Sequence, residues 1–222
     1  MKSDAQIKQD ILDELVFEPN IDETQIGVTV DDGIVALSGM VNEYYKKALA
    51  NKVAKRVSGV KAVAEDIEVK YGDDYRKTDK EIAKAAVNAL EWNASVPKEK
   101  IMVFVEDGYI YLSGKVAWNY QRSSAKRAIQ NLLGVKGVVN NIEIIPEAKA
   151  DNIEEQITMA LERSANLQAK GIRVLVDGNT VQLKGRVHSI KERELAEKSA
   201  YKALGVRHVQ NDIVVQYYPE FV

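Results

Sequence analysis

Side chains that could take part in catalysis are few in this chain of 222 residues. The only histidines are His188 and His208, and no cysteine is present, which excludes disulfides, thiolate metal sites and cysteine nucleophiles. Neither a GxGxxG string nor a GK[ST] ending occurs, so the glycines do not form a phosphate-binding loop. Because no nucleophile or acid–base pair stands at a recognisable spacing, the sequence predicts a protein that is not an enzyme and uses no cofactor and no metal.

Oxygen ligands for a hard cation are present in three short acidic segments, Asp31-Asp32, Glu106-Asp107 and Asp177. Each segment stands next to a glycine between runs of alternating apolar residues, which is the pattern of a β-hairpin turn. A cation site and a solvated turn both explain the acids, and the sequence favours the turn.

A second candidate chemistry lies in the stretch from Tyr109 to Ile142, which contains no acid. Basic side chains beside interfacial aromatic rings are what an anionic phospholipid surface attracts. A solvated helix face with an aromatic cap explains the same pattern. The candidate membrane or partner contacts are Trp118, Tyr120, Arg122, Lys126 and Arg127, with Lys115 and Lys136 in the same stretch.

The elements that position these residues follow from an internal repeat. Gly39, Gly114 and Gly185 are spaced by 75 and 71 residues, and Gly59, Gly134 and Gly205 keep the same two spacings. Apolar positions such as Leu37, Leu112 and Leu183 obey them as well. Self-similarity of this kind indicates a repeated supersecondary unit. We therefore predict repeat 1 at 1–72, repeat 2 at 73–147 and repeat 3 at 148–222, with linkers near 72–76 and 146–151.

Each repeat opens with apolar residues at helical spacing, as in Ile7, Ile11 and Leu15. Two strands follow, joined by the acidic turn, and then a second helix, from about Asn42 to Val57 in repeat 1, and a last strand. Predicted capping boxes begin the first helices: Ser3 with Gln6, Thr78 with Glu81, and either Asp151 with Glu154 or Asn152 with Glu155.

The predicted fold class is α+β, with three tandem αββαβ modules. Each module has a three-stranded mixed sheet and two helices on one face, since the second strand, helix and third strand form a right-handed crossover between parallel strands. Gly39 and its equivalents are predicted to allow a bend or a close backbone approach at the end of the second strand. Gly59 and its equivalents are predicted to form left-handed helix caps.

Repeat 2 has an unusual open sheet face. Period-two alternation places Met102, Phe104, Tyr109 and Tyr111 opposite the helices. The corresponding residues of the other repeats are smaller or more polar. Because an apolar patch of this size is seldom left in water, we expect another repeat, a second chain or a ligand to cover it.

Composition and charge limit the kinds of partner that the chain can be expected to bind. Apolar residues make up 45% of the chain, and the formal net charge of -2 argues against nucleic acid as the main partner. Repeat 1 carries 9 basic and 13 acidic side chains, whereas repeats 2 and 3 carry 11 and 10 each. No apolar run is long enough for a transmembrane helix, and no secretory signal is visible. For the sequence as it stands we expect a cytoplasmic location, and a periplasmic one only if a secretory leader has been removed.

The repeated motifs resemble the BON domain, a bacterial module found in osmotically inducible and outer-membrane-associated proteins. The resemblance rests on the ordered string from Asp32-Gly33 through Leu37 and Gly39 to Val41, followed by a helix and then by Gly59-Val60 and Ile67. It covers nearly the whole chain three times. It implies non-catalytic binding, of phospholipid surfaces and, in some members, of potassium ions.

The function predicted from these observations is non-catalytic binding or scaffolding of BON type, with association to phospholipid membrane surfaces. The alternatives are a cation sensor for potassium and a protein–protein interaction module in osmotic or envelope stress. The expected partners are an anionic phospholipid surface or another protein, including oligomers formed through the sheet face of repeat 2.

Overall fold

The computed structural model describes residues 2–72, 77–145, 152–164 and 171–216. The helices and strands within these ranges are α1 (Asp4–Val16), β1 (Ile26–Asp31), β2 (Ile34–Val41), α2 (Tyr44–Ala54), β3 (Ala62–Val69), α3 (Asp79–Glu91), β4 (Ile101–Glu106), β5 (Tyr109–Val116), α4 (Asn119–Ile129), β6 (Gly137–Ile144), α5 (Ile153–Glu162), β7 (Arg173–Asp177), β8 (Thr180–Val187), α6 (Ile190–Ala200) and β9 (His208–Val215). Short 3₁₀ turns at Glu23–Gln25 and Lys98–Lys100 precede β1 and β4.

The strands form three-stranded sheets in the orders β1-β2-β3, β4-β5-β6 and β7-β8-β9. In each sheet the first two strands are antiparallel, and β5 with β6 and β8 with β9 are parallel. In the first sheet, the amide of Lys61 donates to Gly33 and the amide of Lys70 donates to Val41, which is also a parallel register. The predicted α+β class and the αββαβ order of the modules are confirmed.

The core of each module lies between its helices and one face of its sheet. In repeat 1, Ile7, Ile11 and Leu15 of α1 are buried, as are Val35 and Leu37 of β2. Their counterparts are also buried: Ile82, Ala86, Leu90, Ile110 and Leu112 in repeat 2, and Ile153, Ile157, Leu161, Val181 and Leu183 in repeat 3. Alternate residues on the strands point away from the helices, so each sheet buries one face.

Two of the predicted capping boxes are present. The side chain of Ser3 accepts a hydrogen bond from the amide of Gln6, and the side chain of Gln6 accepts one from the amide of Ser3. Thr78 and Glu81 form the same pair of hydrogen bonds. The box predicted for Asn152 is wrong, because this residue has a left-handed backbone and its side chain caps nothing. The alternative at Asp151, and the predicted linkers apart from Gly72, fall outside the described residues.

The second helix of repeat 1 is shorter than predicted. After Ala54 the hydrogen bonds shorten to i→i+3, from Arg56 to Val53 and from Val57 to Ala54, which tightens the chain before Gly59. Gly59 has a φ of +107°, and an added Cβ would lie 2.6 Å from Cδ1 of Ile7. The prediction that Gly59 caps the helix is wrong, because α2 ends five residues earlier at Ala54. The glycine instead lets this turn approach α1. Gly134 and Gly205 have φ values of +91° and +85°.

A close backbone approach at the end of the second strand is also confirmed. An added Cβ would lie 2.0 Å from the carbonyl oxygen of Gln25 at Gly39, 2.0 Å from that of Lys100 at Gly114, and 2.2 Å from that of Gly171 at Gly185. All three glycines have positive φ. The first strand can enter the sheet in register only because no side chain stands there.

The hairpin turns are held by a residue that the sequence analysis did not single out. The Asp4 carboxylate, in the first turn of α1, accepts hydrogen bonds of 2.8 and 2.9 Å from the amides of Asp32 and Gly33. Asp79 does the same for the turn of repeat 2, at 2.9 and 2.8 Å. The equivalent position in repeat 3 is Ala150. We call this contact the turn latch of repeats 1 and 2.

The backbone groups into two compact units. One contains Met1–Gly39, Leu49–Ile67 and Ala148–Val222, and the other contains Met40–Ala48 and Glu68–Glu147. The first unit thus joins most of repeat 1 to repeat 3. Within it, Lys55 and Glu194 form an ion pair of 3.4 Å between these two repeats.

Replacing Gly185 with Ala should be more damaging than replacing Gly178 with Ala in the same repeat. Both residues have positive φ, but an added Cβ at Gly178 meets no atom within 4 Å. We expect a loss of about 1 kcal/mol at Gly178 from left-handed strain alone, and of about 3 kcal/mol or more at Gly185, where the carbonyl of Gly171 must also move. Urea denaturation followed by circular dichroism measures both, and equal losses would contradict the close approach.

Replacing Asp79 with Ala should loosen the hairpin turn of repeat 2, because two amides lose a charged acceptor. We expect a loss of about 1.5 to 3 kcal/mol and faster hydrogen exchange at Asp107 and Gly108. Glu99→Ala removes an exposed carboxylate from the same repeat and should change stability by less than about 0.5 kcal/mol. Unchanged exchange at the two amides would show that the latch does not hold the turn.

Candidate functional site

The aromatic candidates lie at the beginning of α4. Trp118 is the residue that precedes the helix, and the Oε1 atom of Gln121 accepts hydrogen bonds from the amides of Ala117 and Trp118, at 3.1 and 3.0 Å. The Trp118 and Tyr120 rings are 6.4 Å apart and tilted by 32°. Trp118 is half-buried and Tyr120 is exposed. The helix start therefore presents a paired aromatic surface with one ring in water.

The three predicted cations follow on the same helix. Arg122 and Lys126, one turn apart, are half-buried on one flank, while Arg127 is exposed. Arg127 lies two turns after Tyr120 and so shares its outward face. The Arg127 guanidinium donates a 3.1 Å hydrogen bond to the hydroxyl of Ser124, which is a neutral partner. The structure thus brings the five predicted residues from Trp118 to Arg127 together along α4.

The sheet-face candidates form a separate surface. Met102, Phe104 and Tyr109 are 70%, 57% and 45% exposed, and Tyr111 is half-buried. Phe104 faces Tyr111 across the β4–β5 ladder, with ring centroids 5.7 Å apart. No described residue of the compact unit that holds repeat 2 covers this face. Its cover by another repeat, a second chain or a ligand stays a prediction.

Tyr109 has a structural role on that face as well. It pairs with Gly137 across the β5–β6 ladder, and a Cβ added at Gly137 would lie 2.6 Å from the tyrosine ring. The ring therefore covers a glycine of the β6 edge strand, which shields backbone that would otherwise meet water. Because Ile110 and Leu112 alternate with the tyrosines and are buried under the helices, the nine predicted contact residues lie on two opposite sides of the module.

The acidic turns do not assemble a metal centre in the part of the chain that the structure describes. No group of three or more histidine, aspartate or glutamate side chains there is placed to hold a metal ion. His208 is exposed at the start of β9, and His188 stands just before α6, where its amide donates to Glu192 at 3.1 Å. The structure therefore brings neither histidine into an acidic cluster.

Two exposed aromatic residues were missed by the sequence analysis. Phe17 and Trp92 are each 89% exposed, and they cap the C-terminal ends of α1 and α3. They are related by the 75-residue spacing of the repeat, and Arg163 takes their place in repeat 3. The sequence feature that could have identified them is a large aromatic residue two positions after the last buried leucine of the helix, Leu15 or Leu90.

Tyr71 makes a further polar contact, which the amino-acid composition does not predict. Its hydroxyl donates a 2.7 Å hydrogen bond to the carbonyl oxygen of Val135, next to Gly134. Burial raises the pKa of the Tyr71 hydroxyl, and hydrogen bonding with the backbone of Tyr44 opposes this rise. The segment that follows β3 is thereby tied to the loop before β6.

Comparison with known proteins identifies the modules. The BON domain model matches residues 3–71, 78–146 and 149–217. The chain is 31% identical over 149 residues to osmotically-inducible protein Y of Escherichia coli (strain K12), an alignment that covers 63% of this chain and 72% of that protein. No described α-helix combines the length and apolar character needed to cross a bilayer.

Likeness to solved structures is weak. CdsD, a structural protein of the type III secretion system of Chlamydia trachomatis, is 17% identical, with 96% of this chain and 93% of that chain covered and a TM-score of 0.28. The C-terminal domain of CdsD is 16% identical, with 97% of this chain and 100% of that chain covered and a TM-score of 0.26.

The BON domain model matches three successive stretches that together span nearly all of the present chain. This chain therefore belongs to the BON domain family.

Proposed function

We propose that this BON-domain protein is a non-catalytic binding protein whose second repeat docks on anionic phospholipid surfaces through α4. The observation that carries the proposal is the arrangement on that helix, where Tyr120 and Arg127 share the outward face and Arg122 and Lys126 line its flank. An exposed tyrosine is favourable at the boundary between lipid headgroups and water, because its apolar ring enters the interface while its hydroxyl keeps its contact with water.

Electrostatics favour the α4 face over α3, the first helix of the same repeat. Each cation near an anionic membrane contributes about 1 kcal/mol, so three of them give a useful but reversible attraction. The last turn of α4 carries Lys126 and Arg127 and its first turn has no acid, whereas the first turn of α3 carries Asp79 and Glu81. A membrane surface would therefore meet α4 with less repulsion than α3.

The similarity to an osmotically-inducible protein supports a role in osmotic or envelope stress for this chain too. A binding module suits such a role because it needs neither substrate turnover nor a bound cofactor. Reversible attachment that weakens as salt rises would also make the protein responsive to ionic conditions at the membrane.

Charge reversal on α4 tests the proposal. Arg122→Glu, Lys126→Glu and Arg127→Glu together should abolish co-sedimentation with phosphatidylglycerol vesicles, and wild-type binding should weaken with rising KCl because screening shortens the reach of the cations. Binding to phosphatidylcholine vesicles should be weak throughout.

The matched control carries the same change in charge on the same repeat, at Lys80, Lys84 and Lys98, which are exposed and lie outside α4. This control should keep most of its vesicle binding. If both triple variants lose binding equally, net charge rather than the α4 face is responsible, and if neither does, the lipid proposal is wrong.

The open sheet face of repeat 2 favours a second candidate function, association with a second copy of the chain. β4 is an edge strand of its sheet, and its exposed Met102 and Phe104 give that edge an apolar side. An apolar edge strand is a template for pairing with another chain. The partner would extend the sheet beyond β4 and place its own side chains beside Met102 and Phe104 on the open face.

Phe104→Asp should convert such an oligomer to monomer, because an aspartate would be buried without a partner. Leu175→Asp is the matched control, since Leu175 occupies the equivalent exposed position in repeat 3. Sedimentation velocity at several protein concentrations measures the outcome. A wild-type chain that stays monomeric, or an oligomer that survives Phe104→Asp, would remove this candidate.

A further inference from the structure

A cluster of cations lies between α2 and α6 within the first compact unit. The Nζ atom of Lys55, just after α2, is 3.4 Å from Oε1 of Glu194 in α6, although the two residues are 139 positions apart. The amide of Lys55 still donates to Asn51, so helical spacing continues to this residue. The ion pair therefore shows which sides of the two helices lie near each other.

Helical spacing places more cations on the same faces. Lys55 and Arg56 each lie about one turn after Lys52 on the α2 side, and Lys191, Glu194 and Lys198 follow one another at one-turn spacing on α6. Glu194 offsets one positive charge and pairs with Lys55. Among the described residues, no ion pair joins a carboxylate to the other four. We call Lys52, Lys55, Arg56, Lys191 and Lys198 the basic cluster.

Lys191 interacts electrostatically with three other members of the cluster. It is half-buried, and burial lowers the pKa of its ammonium group. The charges of Lys198, Arg56 and Lys52 lower the pKa further, and Glu194 opposes them. When the pKa of a lysine falls on folding, its protonated form is less favourable in the native chain than in the unfolded chain. Neighbouring cations thus repel the Lys191 ammonium group where repeats 1 and 3 meet, while Glu194 attracts it.

We propose that the basic cluster is a binding site for a multivalent phosphate anion, which bridges repeats 1 and 3. A single anion between α2 and α6 would replace the repulsion among the four cations other than Lys55 with attraction to each of them. The planar guanidinium of Arg56 matches two phosphate oxygens, and the lysines act as point charges around them. This surface belongs to repeats 1 and 3, so it is independent of the α4 face proposed to meet lipid.

Titration calorimetry with sodium tripolyphosphate tests the site, with KCl adjusted to hold the ionic strength constant. The wild-type chain should bind, and the double variant Arg56→Gln with Lys191→Gln should bind at least about ten-fold more weakly. The matched control, Lys80→Gln with Lys84→Gln, removes two exposed cations from α3 and should bind like the wild type. Absence of binding by the wild type, or equal binding by the double variant, would overturn the proposal.

A second measurement separates a binding site from a purely structural cluster. In low salt and without tripolyphosphate, the double variant should melt at a higher temperature than the wild type, because repulsion is relieved. Tripolyphosphate should raise the melting temperature of the wild type, as any ligand of the native state does, and should leave that of the double variant nearly unchanged. A double variant that melts lower without the anion would show that these cations hold the repeats together, contrary to the proposal.

Phosphatidylglycerol vesicles identify the source of the phosphate. If the double variant loses vesicle binding as well as tripolyphosphate binding, the cluster receives lipid headgroups. If vesicle binding persists while tripolyphosphate binding is lost, the cluster takes a soluble anion. The α4 triple variant should keep tripolyphosphate binding in either case, so failure of the lipid proposal would leave this one standing.

Discussion

A three-stranded sheet with only two helices can bury one of its faces, and this limit shapes every part of the molecule. The residues that alternate with Val35 and Leu37, or with Ile110 and Leu112, have no helix above them and must meet solvent or a partner. A module of about 70 residues buries only around 60% of the surface of its unfolded chain, so it has little apolar area to spare. Close packing on the covered side is therefore essential, and the positive-φ glycines permit it by removing Cβ atoms where backbone meets backbone or α1.

The same limit explains how three copies of one skeleton can differ in function. Buried positions keep their apolar character from repeat to repeat, whereas the exposed positions are free to change. Leu175 and Phe104 are equivalent in the sheet, yet only the latter has an aromatic residue opposite it, Tyr111. The outward faces of the second helices differ less, since Tyr45, Lys47 and Lys52 of repeat 1 stand where α4 has Tyr120, Arg122 and Arg127. Repeat 1 has Asn51 in place of Lys126, and repeat 3 has Lys191 in place of the tyrosine. Any specialisation of the repeats therefore has to be sought on the open sheet faces and the outer helix faces.

Local and periodic features could be predicted from the sequence because they depend on neighbours along the chain. Helical spacing, the Asp-Gly turns and the Ser3 and Thr78 capping boxes each involve residues a few positions apart, and the 75- and 71-residue spacings carried the prediction across the repeats. The prediction at Asn152 was wrong because a residue type that often caps helices here adopts a left-handed backbone instead. The end of α2 was misplaced because a 3₁₀ turn continues the apolar pattern beyond the α-helix.

Contacts between distant residues could not be predicted in this way. The Asp4 latch joins residues 28 and 29 positions apart, and nothing distinguishes it in sequence from any other acid in the first turn of a helix. The basic cluster is still more remote, since its two halves lie in repeats 1 and 3 and become one feature only where α2 meets α6. Repeat 1 is the most acidic of the three by composition, yet it contributes Lys52, Lys55 and Arg56 to the most crowded group of cations that we identify. Net charge per repeat therefore says little about binding here, because an anion responds to the charges that the fold brings within its reach.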